Sequence, residues 1–183
     1  PLTASSLESF IGWLKQKQDD LWAAAIYVPV GSLTWEQLEG VSIIASRWGD
    51  GVLRTSHNQR IIIPNISMRF KEEVAIDLAR YGLSVETDSI SKNIVVCTGK
   101  QFCNLAITET KGHALRLIEK LKKRGLALYN IRIHISGCSN ACSQHHTADI
   151  GLKGVNVKRI LGMREGFDIF LGGAVNHKTQ LAL

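Results

Sequence analysis

Residues 131–142 read Ile131-Arg132-Ile133-His134-Ile135-Ser136-Gly137-Cys138-Ser139-Asn140-Ala141-Cys142. The apolar run over 131–135 has the length and β-branched character of a buried strand, and Gly137 interrupts it where a C-x3-C pair begins. Upstream, residues 93–96 read as another buried-type strand that runs directly into Cys97-Thr98-Gly99-Lys100-Gln101-Phe102-Cys103. Residues 101–124 between them are expected to be mostly helix, and 148–152 and 167–171 to be further strands, the last closed by Gly172-Gly173. A hydrophobic period that switches between 2 and 3.6 in this way predicts an α+β unit.

Working outward, the N-terminal half shows a second pattern. Leu7, Phe10, Ile11 and Leu14 recur at helical spacing behind a Ser5/Glu8 capping box, and Asp19-Asp20 interrupts the run. A strand is expected over 22–30, stopped by Pro29 and Gly31. Thr34 can cap a helix to about Trp48 that presents Trp35, Leu38, Val41 and Ala45 on one face. Asp50-Gly51 marks a turn, 52–54 a short strand, and Ile61-Ile62-Ile63 a strand closed by Pro64. A helix over 68–81 with Gly82 at its C′ position and a last strand over 83–86 complete the order β-α-β-β-α-β, the ferredoxin-like arrangement. The expected organisation is an N-terminal helix or linker over 1–20, a ferredoxin-like half-domain over 21–88 and a second module over 89–183.

Hydrophobic residues make up 45% and charged residues 21% of the 183, which excludes a disordered chain. No apolar run reaches the roughly 18–20 residues of a membrane helix, and Pro1-Leu2-Thr3-Ala4 lacks the pattern of a secretory signal. A soluble protein with no membrane partner is expected. The net charge of +6 favours an anionic ligand or partner. The basic cluster Lys120, Lys122, Lys123 and Arg124 suits a helix C-terminus, and no basic run with interleaved aromatics suggests nucleic acid.

All four cysteines lie in the second half, spaced C-x5-C and C-x3-C with 34 residues between the pairs. Two disulfides would suit an exported protein. A structural zinc site prefers C-x2–4-C pairs, which the second pair satisfies and the first does not. Four independently packed thiols are a third reading. A cubane iron–sulfur cluster, which needs converging thiolates without tight local spacing, fits the pattern best. Cys103 is expected in the first turn of the following helix, where the dipole stabilises thiolate. Gly137 and Asn140 are expected to supply unusual backbone angles to the second loop.

These residues resemble the cluster signature of the sirohaem nitrite and sulfite reductases. The resemblance rests on Val96-Cys97-Thr98-Gly99-Lys100-Gln101-Phe102-Cys103 and Ser136-Gly137-Cys138-Ser139-Asn140-Ala141-Cys142, and it continues in Ala148-Asp149-Ile150-Gly151-Leu152-Lys153-Gly154 and Phe167-Asp168-Ile169-Phe170-Leu171-Gly172-Gly173. Tyr27-Val28-Pro29-Val30-Gly31 and Gln59-Arg60-Ile61-Ile62-Ile63-Pro64-Asn65 resemble the ferredoxin-dependent nitrite reductases in particular. The resemblance implies a ferredoxin-like βαββαβ module followed by an α+β module that binds sirohaem and a [4Fe–4S] cluster, together the C-terminal half of such an enzyme. It implies a missing N-terminal half as partner, supplying most of the groups that grip the anion, and hence no catalytic residue in this stretch. Ferredoxin would be the electron donor, nitrite the substrate, and a bacterial cytoplasm or plastid stroma the location.

Carried over from the family, Cys97, Cys103, Cys138 and Cys142 are the cluster ligands, and Cys142 also bridges to the sirohaem iron. Arg54, Ser56 and Gln59 match an R-x-[ST]-x-x-Q pattern in which arginine suits the macrocycle carboxylates, against the plainer reading of a solvated edge-strand arginine. Asn140 matches a position near sirohaem or is a left-handed turn residue. Thr98 and Lys100 are placed toward the cofactor by proximity. Ser139 stands where the family usually has proline. His145-His146 invites a metal reading, but a surface loop is the expectation, and His57 is assigned no role. The tryptophans Trp13, Trp22, Trp35 and Trp48 are expected in the core. The alternatives are an assimilatory sulfite reductase, a precorrin-3B synthase, a haem-free [4Fe–4S] electron-transfer module and a zinc-stabilised domain.

Overall fold

A capping box at Thr34 starts the first long helix. The Thr34 hydroxyl accepts from the Gln37 amide at 3.2 Å and the Gln37 side chain accepts from the Thr34 amide at 3.0 Å. The helix that follows, α1 (Trp35–Trp48), buries Gly40, Val41, Ile44 and Ala45. Its inward face is therefore rotated from the expected one: Trp35 is 72% and Leu38 51% exposed. The Tyr81 ring explains the rotation, because it lies where a side chain on Gly40 would stand, so that only glycine lets the helix approach there. This computed structural model describes residues 11–160, 162–174 and 180–183, and the chain divides into two compact units, Pro1–Thr87 and Asp88–Leu183.

In the first unit, β1 (Gly12–Lys15), β2 (Leu21–Ile26), β3 (Arg54–Thr55) and β4 (Ile61–Ser67) form an antiparallel sheet in the order β1-β2-β4-β3. The helix expected over 7–14 falls partly outside the described residues, and its last turn is strand β1. Gly12 has φ +118°, outside the right-handed helical region, and a short isolated helix does not overcome its nucleation cost when a sheet edge offers backbone partners. Pro64 does not close β4 but sits inside it, at a register shift opposite Ala23. Proline is tolerated at such a bulge. The neighbouring Asn65 amide finds its acceptor in the Gln16 side chain at 2.7 Å, which replaces the lost ladder partner.

A short 3₁₀ turn, Met68–Phe70, leads into α2 (Lys71–Arg80), and Gly82 with φ +68° ends it. The strand expected over 83–86 is reduced to one bridge between Tyr27 and Ser84. The core unites Ile26, Val41, Ile44, Ile63, Ile66, Val74 and Leu78, with Trp13 and Trp48 packed against it. Trp22 is only half-buried, with the Lys71 ammonium 3.3 Å from its ring centroid. Trp35 is thus the tryptophan that departs most from the expected core role.

The second unit opens with a four-residue helix, α3 (Ser89–Lys92), capped by Asp88. Its sheet holds β5 (Ile94–Val96), β6 (Ile133–Ser136), β7 (Ile150–Arg159) and β8 (Gly162–Leu171) in that order, the first three parallel and the last antiparallel. The apolar strands β5 and β6 bury Ile94, Val96, Ile133 and Ile135, while α4 (Lys111–Lys123) contributes Ala114 and Ile118. Residues 101–110, expected as helix, are turns. The helix begins late because the Glu109 carboxylate accepts from the free amides of Gly112 and His113 at 2.8 and 3.1 Å, capping the chain there. The expected strands 148–152 and 167–171 become a hairpin of two ten-residue strands, β7 and β8. The α+β class with a ferredoxin-like first half holds, and no helix among the described residues is long and apolar enough to cross a membrane.

Candidate metal centre

Parallel pairing of β5 with β6 matches Val96 to Ile135, so both strands deliver their next residues to one end of the sheet. Those residues are Cys97 and Gly137-Cys138. Cys97 continues the pairing by donating its amide to the Ile135 carbonyl at 2.9 Å, and the Gly137 amide points back at the Cys97 sulfur at 3.0 Å. The carboxyl end of parallel strands is where open sheets present ligands.

The loop after β5 folds over the same end. Cys103 donates its amide to the Gly99 carbonyl at 3.0 Å, forming a tight turn, and Ile107 and Thr108 donate theirs to the Gly137 carbonyl at 2.8 and 3.1 Å. Gly137 thus touches the first cysteine through its N–H and fastens the loop of the second through its C=O. A Cβ there would lie 3.0 Å from the Thr108 carbonyl and 3.1 Å from Ala106, so glycine is what lets the two loops approach this closely without displacement. The second cysteine loop leaves through Ser139-Asn140-Ala141, with Ala141 and Gln144 at φ +55° and +56°. Cys97, Cys103 and Cys138 are half-buried, Cys142 is exposed, and all four are free.

Charge around the loops follows the same plan. The Thr110 hydroxyl donates to the Cys97 carbonyl at 2.8 Å, which lays the start of α4 beside Cys97. The helix-dipole argument made for Cys103 therefore passes to Cys97, because Cys103 lies in the turn segment well ahead of the helix. Burial pushes the Lys111 ammonium below its usual range and the nearby Cys97 opposes that push, which places a cation next to the first thiol. Lys100 pairs with Glu165 of β8 at 2.6 Å, and the other Glu165 oxygen accepts from the Glu109 amide at 3.1 Å. Glu165 therefore clamps both ends of the segment that carries Cys103, and its carboxyl is held below the ordinary range by Lys100 first and the Glu109 amide second.

Other expected site residues are placed as follows. Thr98 and Asn140 are exposed on the two cysteine loops, and the left-handed turn expected of Asn140 is made by Ala141 instead. Lys100 is committed to Glu165. Arg54 and Gln59 belong to the first unit. Arg54 is exposed on edge strand β3, while Gln59, at φ +61°, lies against Gly31, where a Cβ would stand 2.7 Å from its side chain. Ser56 shapes that turn by accepting the Arg60 amide on its hydroxyl at 3.3 Å.

Sequence reasoning missed several residues. Arg60 is only 2% exposed, stacked under Tyr27, and burial pushes it down to about 10. Nothing in the local pattern marks it, since it ends a polar turn. Glu165 was equally invisible, its partners lying on a distant loop. The surface loop expected at His145-His146 is corrected: His145 is fully buried, its ring 3.9 Å from that of His146 and 5.2 Å from that of Phe170. Its carbonyl lies so close over Gly151 that β7 can pass only as glycine.

Two family models cover most of the chain. Residues 14–81 match the nitrite/sulfite reductase ferredoxin-like half domain, and residues 88–182 match the nitrite and sulphite reductase 4Fe-4S domain. The chain belongs to the nitrite and sulfite reductase family. Among curated relatives of this family, the ferredoxin–nitrite reductase of Synechococcus elongatus is 35% identical, over 99% of this chain and 37% of its own length. The chloroplastic ferredoxin–nitrite reductase of Spinacia oleracea is 35% identical over 94% of this chain and 29% of its own. The chain thus spans about a third of the length of these relatives. The solved structure of the Mycobacterium tuberculosis NirA protein superposes with a TM-score of 0.86 at 26% identity, covering 94% of this chain and 33% of that one. A dissimilatory sulfite reductase shares the fold, with a TM-score of 0.60 at 17% identity over 76% of this chain and 34% of its own.

All four cysteines lie within the stretch that matches the 4Fe-4S domain. Among the described residues no three His, Cys, Asp or Glu side chains converge as ligands of one metal ion. A cubane distributes its thiolates over separate irons, so its ligands stand further apart than those of a single tetrahedral ion. Cys97 and Cys138 follow adjacent strand ends as free thiols, with the Gly137 amide directed at the first of them.

Proposed function

We propose that this chain is the C-terminal part of an assimilatory ferredoxin–nitrite reductase, in which Cys97, Cys103, Cys138 and Cys142 hold a [4Fe–4S] cluster and Cys142 also reaches the iron of sirohaem. The observation that carries the reading is the meeting of Cys97 and Gly137-Cys138 at adjacent parallel strand ends, closed by the 3.0 Å contact from the Gly137 amide to the Cys97 sulfur. When bound, the cluster and sirohaem supply the electron relay and anion-binding iron for the six-electron reduction of nitrite to ammonia.

The chain's own residues position and neutralise. The Gly137 amide, the start of α4 and Lys111 set positive charge beside the first thiolate, and Glu165 with Lys100 fixes the loop that carries the second. Arg54 and Gln59 are assigned to the macrocycle carboxylates, with Asn140 and Thr98 at the rim of the cluster loops. Ferredoxin as donor and nitrite as substrate follow the names of the relatives. The residues that grip the anion are assigned to the missing N-terminal half, and the location to a bacterial cytoplasm or plastid stroma.

Iron, acid-labile sulfide and zinc are to be measured in the full-length protein after anaerobic purification. About four irons and four sulfides per chain are expected, and Cys142→Ser should retain iron yet lose nitrite turnover. One zinc without sulfide would overturn the reading, and full turnover in Cys142→Ser would remove the bridging role.

A further inference from the structure

Ser136 is the last residue of β6 and Ser143 immediately follows Cys142, so the pair brackets the whole segment that carries Cys138 and Cys142. Their hydroxyl oxygens are 2.7 Å apart, and His145 Nδ1 lies 2.9 Å from the Ser136 hydroxyl. All three are buried, at 1%, 3% and 0% exposure. His145 Nε2 has no hydrogen-bond partner among the described residues. A buried orphan N–H is rarer than a buried orphan lone pair, so the ring proton belongs on Nδ1, which donates to Ser136. The Ser136 hydroxyl then donates in turn to Ser143, and the trio has one direction.

We propose that Ser136, Ser143 and His145 form a buried hydrogen-bonded neck that positions the Cys138–Cys142 loop and through it sets how tightly the cluster is held. The proposal rests on the cluster reading above. Three features support it. The loop contains one non-glycine residue in the left-handed region, Ala141, with a second, Gln144, directly after Ser143, and such strain persists only where the surroundings over-determine it. An apolar neck of the same volume would be as stable as this one, so what the polar trio adds is a unique alignment of the two loop ends. The third member is itself immobilised: the His145 ring packs in a three-ring cluster with His146 and Phe170, and its carbonyl is pressed onto Gly151 of β7. The neck therefore ties the cysteine loop to both β6 and β7 and cannot slide with the loop. These are positioning residues, since none is a ligand.

The test uses the full-length protein and two readouts. Amide hydrogen exchange of residues 137–144 in metal-free protein reports the neck without any cofactor. Release of iron to a chelator and the electron paramagnetic spectrum of the reduced cluster report its effect on the metal. Ser143→Ala and His145→Leu should raise exchange in 137–144 about tenfold, the factor expected from one lost buried hydrogen bond, and speed iron release by a similar factor. Ser136→Thr keeps the hydroxyl, and His145→Asn keeps a polar atom where Nδ1 stands, so both should restore slow exchange and the wild-type spectrum. Should His145→Leu fail to fold, Ser143→Ala decides alone, because it removes one oxygen from the neck. Wild-type exchange in Ser143→Ala overturns the proposal, as do rescue variants that behave like the removals. Wild-type protein that binds no iron or sulfide would sink the cluster reading instead, while the exchange result still decides the neck.

Discussion

Gly154→Ala should disable the cysteine end of the second unit although residue 154 carries no chemistry. Gly154 lies in β7, and a Cβ there would overlap the Thr108 hydroxyl and the Gly137 carbonyl oxygen and stand 2.7 Å from the Gly137 carbonyl carbon. Real Cβ atoms essentially never come within 3.0 Å of such neighbours, and backbone cannot rotate away as a side-chain tip can. Either β7 or the segment at Gly137 must give way. Gly137 is the acceptor for the amides of Ile107 and Thr108 at 2.8 and 3.1 Å and for the Thr108 hydroxyl at 3.3 Å. Weakening two backbone bonds at about 1 kcal/mol each, with overpacking of about 1–3 kcal/mol, gives about 3–5 kcal/mol. Thermal unfolding of the second unit should then move down by roughly 10 °C or more, and the cluster should be lost on purification. Gly125→Ala is the control. Gly125 is also glycine for a reason, φ +75° after α4, but nothing lies within 4 Å of its Cβ, so only backbone strain of about 1 kcal/mol is expected. Equal melting shifts in the two variants would refute the reasoning, because they would mean that close approach at Gly154 costs nothing beyond conformation.

Further outcomes follow from single contacts. Thr34→Ala removes one half of the capping box of α1 and should destabilise the first unit by about 1 kcal/mol, read by urea titration, while Thr34→Ser should recover most of it. Burial alone would raise the Asp149 pKa, but side-chain and backbone hydrogen bonds from Arg132 outweigh it and hold the carboxyl below its usual value. Its contribution is therefore present above the ordinary carboxylate range and is lost as pH falls through the lowered value. With Asp149 partly exposed, Asp149→Asn should cost about 1 kcal/mol at neutral pH and progressively less as pH falls below the ordinary carboxylate range; a cost that stays the same into acid would exclude the ion pair. His145 is pushed down to about 4 by burial first, then by His146, Lys153 and His134. The unfolded state then binds the proton first, so stability is full above about pH 6.5 and falls by about 2 kcal/mol between pH 7 and 5. His145→Asn should flatten that part of the acid limb in denaturant titrations; an unchanged limb would assign it to other groups.

Much is legible in the sequence because it depends on short-range patterning. Thr34 as the cap of α1, Gly82 after α2, and the apolar runs that became β5 and β6 each act through neighbours within a few residues, and local chemistry suffices to place them. The cysteine spacing carried the metal reading for the same reason, since strand ends and glycines adjoin the thiols in the chain. Only the tertiary structure decided what depends on partners distant in sequence. Pro64 stays inside β4 because Gln16 satisfies the bulge, α1 turns its face because Tyr81 rests on Gly40, and the turns ahead of the Glu109-capped α4 are held by the distant Gly137 carbonyl. His145 is buried, against the reading of a surface loop, because β6, β7 and Phe170 enclose a polar neck whose parts look unremarked in the sequence. Periodicity reports which face of an element is apolar. Which hydroxyl meets which ring, and which carbonyl a glycine must accommodate, is fixed by packing between elements, where a single close approach outweighs local preference.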